Sequence, residues 1–368
     1  MTSDKGYTNI YTVSIHPVLN MEQLKQYLPI SQIKGKVKTF LSGNNFLKTK
    51  DEVSVGINIG NRYLKGLVLR QGRIADYFLE LNQDLPVTLK KIWSERKISA
   101  RTVKVSVKNP SCLVRYFPFP KMEKKKLEQA LFYELNKHIP FSPEEVFFDY
   151  YILKDISPGE AMILLALAKK DFINSILEAF KPLGLAVSEI NLDSICLINL
   201  FLDRFGDNKE SNACILDIGS SFSVMTIINK GMPFITRDVK FSTKEIVEIA
   251  ARTKGISPEE VEKELLGLNI VSEFLEIIQG SVSGLCKEMK SSFDYFEVNK
   301  GEHIDKLYLT GGLASIKGIE KIFAESLDTD VEVLPVSPTA LKQFDHPGSD
   351  KKFNSLKSSL AVVFGLLT

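Results

Sequence analysis

Ala213-Cys214-Ile215-Leu216-Asp217-Ile218-Gly219-Ser220-Ser221 is the stretch that decides the fold of this chain. Its apolar run is typical of a strand buried on both faces, and the small residues after it allow a tight turn whose backbone N–H groups can point at an anion. Asp217 would stand at the end of the strand, where a carboxylate can hold the water shell of a magnesium ion. Taken alone, such a pattern is more often an ordinary turn.

The sequence carries a second copy of this pattern upstream. Residues 55–62, Val-Gly-Ile-Asn-Ile-Gly-Asn-Arg, have the same layout, with Asn58 in the place of Asp217. In each copy a second strand, a glycine turn at Gly72 or Gly231 and a third strand follow at matching distances. Two such meanders, each opening with a turn suited to phosphate, predict a molecule of two lobes with a ligand between them.

Three motifs of the chain resemble those of a known superfamily. The paired turns, together with residues 307–318 (Leu-Tyr-Leu-Thr-Gly-Gly-Leu-Ala-Ser-Ile-Lys-Gly), are similar to the phosphate-1, phosphate-2 and adenosine motifs of the actin and sugar-kinase superfamily. Within it, the chain most resembles the PilM family of type IV pilus assembly. The similarity runs from about Glu52 to the C-terminus, and it is most specific in residues 134–146, 149–150 and 235–238.

The resemblance implies an α/β protein of the actin-like fold, with two ribonuclease-H-like lobes around an ATP cleft and an extra subdomain, called 1C, inserted in the first lobe. PilM proteins bind ATP and hold the short cytoplasmic N-terminal peptide of PilN, an inner-membrane protein of the pilus machine. We therefore expect a cytoplasmic adaptor that binds ATP and magnesium. It would reach the inner membrane indirectly, through a PilN-like protein and other inner-membrane and motor components of the pilus.

Two other functions stay open at this point. The cell-division protein FtsA also carries a 1C subdomain, so a filament-forming module is one alternative. A sugar-kinase-like ATP-dependent phosphotransferase is another, and it would need a catalytic base, for which Asp193 is the candidate in the sequence. FtsA ends in a basic amphipathic membrane helix, whereas the final helix predicted here, from Leu356 onward, is apolar.

The chain divides into four predicted parts. Residues 1–50 precede the region of resemblance and receive no assignment. The first lobe is expected over 51–210, with the 1C insert at about 121–186, and the second over 211–335, with a 2B insert at about 242–300. Residues 336–368 are expected to form a loop and a helix that packs back on the first lobe. Within the 1C insert, the β-branched and aromatic run after Glu145 favours a strand.

The predicted nucleotide site collects residues from the three motifs and from the segment after the second meander. Its members are Asn58, Gly60, Asn61, Arg62, Lys65, Asp217, Gly219, Ser220, Ser221, Lys244, Glu245, Gly311, Gly312, Leu313 and Ala314. PilM sequences usually carry Gly-Gly-Asn-Gln where this chain has Ser-Thr-Lys-Glu at 242–245. The loss of both glycines is expected to crowd the backbone near the nucleotide.

Two residues of the predicted cleft bear on catalysis. Asp193, at the start of the helix that links the lobes, matches the superfamily residue that orients the attacking water, and it fits equally well as a first-turn carboxylate that the helix dipole stabilises. Asn58 stands where relatives usually place an aspartate, and its uncharged amide holds a magnesium-bound water less firmly. We therefore expect ATP to bind, with weak or absent hydrolysis.

The partner peptide is expected between the first lobe and the 1C insert. The helix predicted from residue 121 to about 137 has an apolar side, since apolar residues recur at helical spacing at Leu127, Ala130, Leu131, Leu135 and Ile139. The residues predicted to line the groove are Phe119, Leu131, Leu135, Ile139 and Pro140.

The composition is that of an ordinary globular protein. Its 368 residues, 44% hydrophobic and 25% charged, suffice for two or more domains with sizeable cores. A net charge of +2 argues against a dedicated nucleic-acid binder, because such a protein concentrates a larger positive excess on one face. The four cysteines and four histidines are scattered, which favours reduced thiols and argues against a zinc site. The N-terminus lacks the apolar core of a signal peptide, so we expect a soluble intracellular protein.

Overall fold

The computed structural model describes residues 53–206, 211–266, 272–336 and 350–368, so the N-terminal extension lies outside the described residues. The strands are β1 (Val53–Ile59), β2 (Tyr63–Arg70), β3 (Arg73–Leu81), β4 (Thr102–Val107), β5 (Cys112–Pro120), β6 (Val146–Ser157), β7 (Glu160–Lys169), β8 (Ala186–Leu192), β9 (Asn212–Ile218), β10 (Ser223–Asn229), β11 (Met232–Val239), β12 (Lys306–Gly311) and β13 (Asp330–Val333). The α-helices are α1 (Leu85–Arg96), α2 (Lys124–His138), α3 (Lys170–Phe180), α4 (Asp193–Phe205), α5 (Thr243–Lys254), α6 (Pro258–Leu266), α7 (Ser272–Lys300), α8 (Ile319–Leu327) and α9 (Asp350–Leu367).

Two of the three sheets found in the described residues share one topology. The first has the strand order β3-β2-β1-β4-β8, and the second has the order β11-β10-β9-β12-β13. In each sheet the first three strands form an antiparallel meander and the two remaining pairs are parallel. The internal repeat inferred from the sequence is confirmed, and its opening strands, β1 and β9, lie at the centres of their sheets.

Helix α9 belongs to the core of the first lobe. Its buried Leu360 and Phe364 share an apolar cluster with Ile57 of β1. Gly365 lets α9 approach α4 closely, since a Cβ at this position would lie 1.8 Å from the carbonyl oxygen of Cys196. Among the described residues, α9 included, no helix is both long and apolar enough to cross a membrane.

The second lobe has its own core. Strands β9, β10 and β12 pack on α7 and α8, with Met225, Phe296 and Phe323 fully buried. Helix α6 begins directly after Ser257, which caps it. The Glu260 backbone N–H donates to Ser257 Oγ at 3.2 Å, and the Glu260 carboxylate accepts from the Ser257 backbone N–H at 2.9 Å.

The third sheet, with the order β5-β7-β6, joins α2 to the first lobe. Strand β7 has two apolar faces: Ile163, Leu165 and Leu167 pack under α2, whereas Leu164 faces the first core. The strand predicted after Glu145 is confirmed as β6. Strand β5 also belongs to this sheet, so the sheet begins before the predicted start of the insert at 121. At the other end of the predicted insert, α3 packs in the first core. The bounds of the insert stay a prediction.

Candidate functional site

Both repeated turns are shaped by a glycine whose replacement would strain the backbone. After β1, a Cβ on Gly60 would lie 2.7 Å from the carbonyl oxygen of Tyr63, and after β9, a Cβ on Gly219 would lie 2.4 Å from that of Phe222. Each turn therefore folds back on itself and leaves small or polar residues exposed at its tip, including Asn61. The turns have the tight form that the sequence predicts, and their contact with phosphate stays a prediction.

Asn58 and Asp193, both predicted in the cleft, are hydrogen-bonded to each other. Asn58 Nδ2 donates to Asp193 Oδ1 at 2.8 Å and Oδ2 at 2.9 Å, and to Ser106 Oγ at 3.0 Å. Asn58 is 1% exposed and Asp193 is 4% exposed. The three residues meet because β4 pairs in parallel with β1, with Ser106 opposite Asn58, and α4 begins directly after β8. The amide of Asn58 donates to both oxygens of the Asp193 carboxylate, whereas an aspartate at position 58 would need a proton or a cation between the two carboxylates.

Burial makes Asp193 costly to ionise. Desolvation raises its pKa from the ordinary 3.8 to about 6; Lys108 acts against this rise, Asp217 adds to it, and Asn58 and Lys65 oppose it. A buried carboxyl with a raised pKa beside a cleft is a candidate for a functional role. The structure places the predicted catalytic Asp193 against Asn58 and close enough to Lys108, Lys65 and Asp217 to interact with them, and its role in hydrolysis stays a prediction.

Lys108 is a residue of the cleft that the sequence analysis missed. It follows β4, reaches the second lobe and donates to Asp217 Oδ2 at 2.5 Å. The side chains of Lys108 and Asp217 are 16% and 7% exposed, so this ion pair is largely removed from water. Lys65 of β2 lies near this ion pair. Burial lowers the pKa of Lys65, and the positive charge of Lys108 lowers it further, whereas the negative charges of Asp217 and Asp193 raise it. Two lysines and two aspartates therefore lie close enough to interact where the two lobes meet.

The residues around Asp217 do not present an open magnesium site as they stand. The Asp217 carboxylate is paired with Lys108, and Asn58 Nδ2 is turned to Asp193. Within the described ranges, no group of three or more His, Cys, Asp or Glu side chains is placed to hold a metal ion. Magnesium at Asp217 and Asn58 stays a prediction, and a hydrated cation would have to displace the ammonium group of Lys108.

The third motif joins the cleft at the end of β12. Gly311 has a φ of +94°, and a Cβ there would lie 2.2 Å from the carbonyl oxygen of Ile218 in β9, so glycine is required. Leu313 and Ala314 are only 2% and 3% exposed, because their side chains pack in the second core. A ligand above Gly312 would therefore meet the backbone of this motif rather than its side chains.

Residues 242–245, where the sequence departs from the PilM pattern, dock helix α5 on the second turn. Ser242 Oγ accepts from the backbone N–H of Glu245 at 3.3 Å and caps the helix. The backbone N–H groups of Thr243 and Lys244 donate to carbonyl oxygens of the second turn at 2.9 and 3.1 Å. The side chains of Lys244 and Glu245 are exposed, and their predicted contact with a nucleotide stays untested.

Side chains of the first lobe are tied to the second lobe across the mouth of the cleft. Arg62 donates from Nε and Nη2 to the two carboxylate oxygens of Glu262 in α6, at 2.9 and 2.7 Å, and the Tyr63 hydroxyl donates to Glu262 at 3.1 Å. The hydroxyls of Tyr116 in β5 and Thr236 in β11 lie 2.9 Å apart. Arg62, predicted to contact the nucleotide, is therefore paired with a carboxylate in this structure.

Most of the predicted groove residues pack inside the third sheet's core. Phe119, Leu131, Leu135 and Ile139 are 7%, 1%, 1% and 8% exposed, and Pro140 is exposed. The last residue of α2 also contacts the sheet, since the ring of His138 stacks on that of Phe117 in β5 with centroids 3.8 Å apart. As they stand, the four buried side chains hold α2 on the sheet, and their contact with a peptide stays untested.

Another set of apolar side chains lines the junction between the third sheet and the first lobe. Phe147, Tyr151 and Leu153 alternate along one face of β6 and are partly buried against the first core. Strand β6 is an edge of its sheet. The sequence gives the alternation, but only the topology shows that this face meets the first lobe.

Comparisons with known proteins agree with the two-lobed architecture. A family model described as type IV pilus assembly protein PilM matches residues 62–367. The solved PilM-PilN type IV pilus biogenesis complex is similar to this chain at 21% identity and a TM-score of 0.75, over 85% of this chain and 97% of that one. The ethanolamine utilization protein EutJ from Carboxydothermus hydrogenoformans is similar at 13% identity and a TM-score of 0.50, over 88% of this chain and 90% of that one. At these identities the solved structures establish the fold alone.

Proposed function

The chain belongs to the PilM family of type IV pilus assembly proteins and has its actin-like fold, and from this premise we propose that it is an ATP-binding adaptor that holds the N-terminal cytoplasmic peptide of a PilN-like membrane protein. The observation that carries the proposal is the match to the family model, which begins at residue 62, just after Gly60 of the first turn, and includes the second turn and the third sheet. A solved relative is described as a PilM-PilN complex, which supports a PilN-like partner.

The cleft supports the nucleotide part of the proposal. Gly60, Gly219 and Gly311 each stand where a Cβ would collide with a backbone carbonyl oxygen, so each of the three predicted nucleotide-binding turns requires a residue without a side chain. Backbone N–H groups in such turns bind phosphate oxygens, and Lys65 and Lys108 add positive charge. ATP bound there contacts both lobes, so it favours the state in which the lobes are closed.

Hydrolysis is proposed to be weak or absent. Asn58 supplies no negative charge, and both carboxylate oxygens of Asp193 accept from the Asn58 amide, at 2.8 and 2.9 Å. Turnover depends on groups that stabilise charge in the transition state, whereas binding also draws on backbone contacts. ATP then acts as a structural ligand or as a switch between lobe positions.

The peptide is proposed to lie along β6, at the junction of the third sheet with the first lobe. An extended peptide can add to the free edge of a sheet, with alternate side chains entering apolar pockets. Phe147, Tyr151 and Leu153 provide such a surface on this edge strand, and all three are partly buried rather than sealed in the core. The adaptor would stand at the cytoplasmic face of the inner membrane through this partner, in contact with further pilus components.

A titration with a synthetic peptide that carries the N-terminal cytoplasmic segment of a PilN-like protein tests this proposal. We expect Tyr151→Ala to weaken binding by about tenfold or more, because a buried aromatic anchor contributes about 2 kcal/mol or more to an interface. Tyr133→Ala is the matched control, since Tyr133 lies on α2 and is 78% exposed. Absence of peptide binding by the wild type, or equal losses in both variants, would contradict the proposed site.

A further inference from the structure

Lys108 holds a position that a bound cation would otherwise take. Its Nζ lies 2.5 Å from Asp217 Oδ2, the carboxylate at the end of β9. The same Nζ lies 2.6 Å from where a Cβ of Gly219 would be, so the ammonium group rests on the bare backbone of the second turn. The ring of Phe222 stands 5.5 Å from Nζ and covers it from another side. A fixed positive charge is thus built into the turn that is proposed to receive phosphate.

The geometry leaves Lys108 free to serve a ligand without leaving Asp217. An ammonium group has three N–H donors, and one of them is used by Asp217. The pair is largely removed from water. A hydrogen bond from one of the remaining N–H donors to a charged phosphate oxygen would therefore be strong. Asp217 then acts as the group that positions the lysine rather than as the group that holds a metal's water shell.

A divalent cation fits poorly into the same place. Magnesium keeps most of its water shell and needs room beside the carboxylate that orients this shell. Here the room beside Asp217 is occupied by Lys108, and Lys65, which lies close enough to interact with Asp217 and Lys108, would add to the repulsion of a second cation. Asn58, the other group predicted to assist magnesium, is engaged by Asp193.

Building on the proposed nucleotide cleft, we infer that Lys108 supplies the positive charge that the phosphates of ATP require, so that this protein binds ATP without magnesium. The inference deepens the proposed function, because it states which form of the nucleotide the cleft takes. It predicts that free ATP and magnesium-ATP bind with similar affinity.

Calorimetric titration of the full chain with ATP, once with EDTA and once with excess magnesium chloride, tests the inference on the wild type alone. We expect the two dissociation constants to agree within about threefold, a difference below 1 kcal/mol. Binding that is about tenfold or more weaker with EDTA would overturn the role of Lys108 while leaving the nucleotide cleft in place. No binding under either condition would overturn the nucleotide cleft itself, and the inference with it.

Substitution of Lys108 separates its charge from other features of the cleft. We expect Lys108→Met to lose about tenfold or more in affinity for free ATP, the loss typical of one charged hydrogen bond, and to regain part of it with magnesium. Lys104→Met is the matched control, because Lys104 lies on β4, the strand that Lys108 follows, but pairs with Glu189. Lys108→Arg keeps the charge and should retain binding to free ATP if Lys108→Met proves unstable. Unchanged affinity of a folded Lys108→Met variant for free ATP would refute the inference.

Discussion

Replacing Asp193 by asparagine should make the protein more stable at neutral pH, because it removes a buried charge. Asp193 is 4% exposed, and burial raises the pKa of its carboxyl to about 6. Between the ordinary 3.8 and this value, the native state binds more protons at this carboxyl than the unfolded chain does. The free energy of unfolding therefore falls as the pH rises through this window, and the loss is complete above it.

The two pKa values set the size of the effect. A rise from 3.8 to about 6 corresponds to about 3 kcal/mol of lost stability at neutral pH, at about 1.4 kcal/mol per pKa unit. Asparagine recovers less than this, since it offers one acceptor to Asn58 where the carboxylate offers two, at 2.8 and 2.9 Å. A hydrogen bond contributes about 1 kcal/mol, so we expect a net gain of about 2 kcal/mol and a melting temperature several degrees higher.

Thermal unfolding at about pH 4.5 and about pH 7.5 measures this gain. Asp171→Asn is the matched control, because Asp171 is also a first-turn carboxylate but is exposed on α3. We expect Asp193→Asn to melt above the wild type at the higher pH and the gap to shrink at the lower pH, while the control stays within about 0.5 kcal/mol of the wild type. An equal gap at both pH values, or a variant that is less stable at neutral pH, would refute this explanation.

Three further substitutions probe the cleft. Asn58→Asp would place a second carboxylate against Asp193, where Asn58 Nδ2 now lies 2.8 Å from Asp193 Oδ1, so we expect lower thermal stability at neutral pH and rescue by magnesium chloride in the variant only. We also expect the variant to hydrolyse prebound ATP in a single turnover faster than the slow wild type. Equal rates would remove Asn58 as the cause of slow hydrolysis. Gly311→Ala would drive a Cβ to 2.2 Å from the Ile218 carbonyl oxygen and should cost about 1–3 kcal/mol in thermal unfolding, whereas Gly280→Ala on α7, with no atom within 4 Å, should not destabilise. Arg62→Ala should speed the release of a fluorescent ATP analogue, because it removes the bidentate ion pair with Glu262 that joins the two lobes. Lys230→Ala is the control: it removes an ion pair with Glu302 inside the second lobe and should leave the release rate unchanged.

The repeat made most of the fold predictable from the sequence. The apolar runs before Asn58 and Asp217, with glycine turns at equal distances after them, specify two meanders, and both form with the same topology. The cap at Ser257 was likewise readable, because it depends on residues within one turn of a helix. Patterns of this kind can be predicted because the residues that cause the turn or the cap lie within a few positions of it in the sequence.

The cleft depends on contacts that local patterns do not contain. Lys108 lies in an ordinary stretch after a strand, and it reaches Asp217 only because β4 pairs in parallel with β1 and the lobes meet. The bond between Asn58 and Asp193 joins residues 135 positions apart. Helical spacing predicts correctly that Leu131 and Leu135 lie on the apolar face of α2, but it cannot distinguish a peptide groove from a closed core. Both side chains are 1% exposed and belong to the core.

Hydrogen exchange of the full chain tests the adaptor proposal most directly, with ATP and a synthetic PilN-like N-terminal peptide added separately and together. We predict that ATP slows exchange in the turns that follow β1, β9 and β12, where Gly60, Gly219 and Gly311 leave the backbone without a side chain. We predict that the peptide slows exchange along β6, at the face that carries Phe147, Tyr151 and Leu153. Protection by the peptide confined to the second lobe, or no protection of the three turns by ATP, would contradict the proposed function.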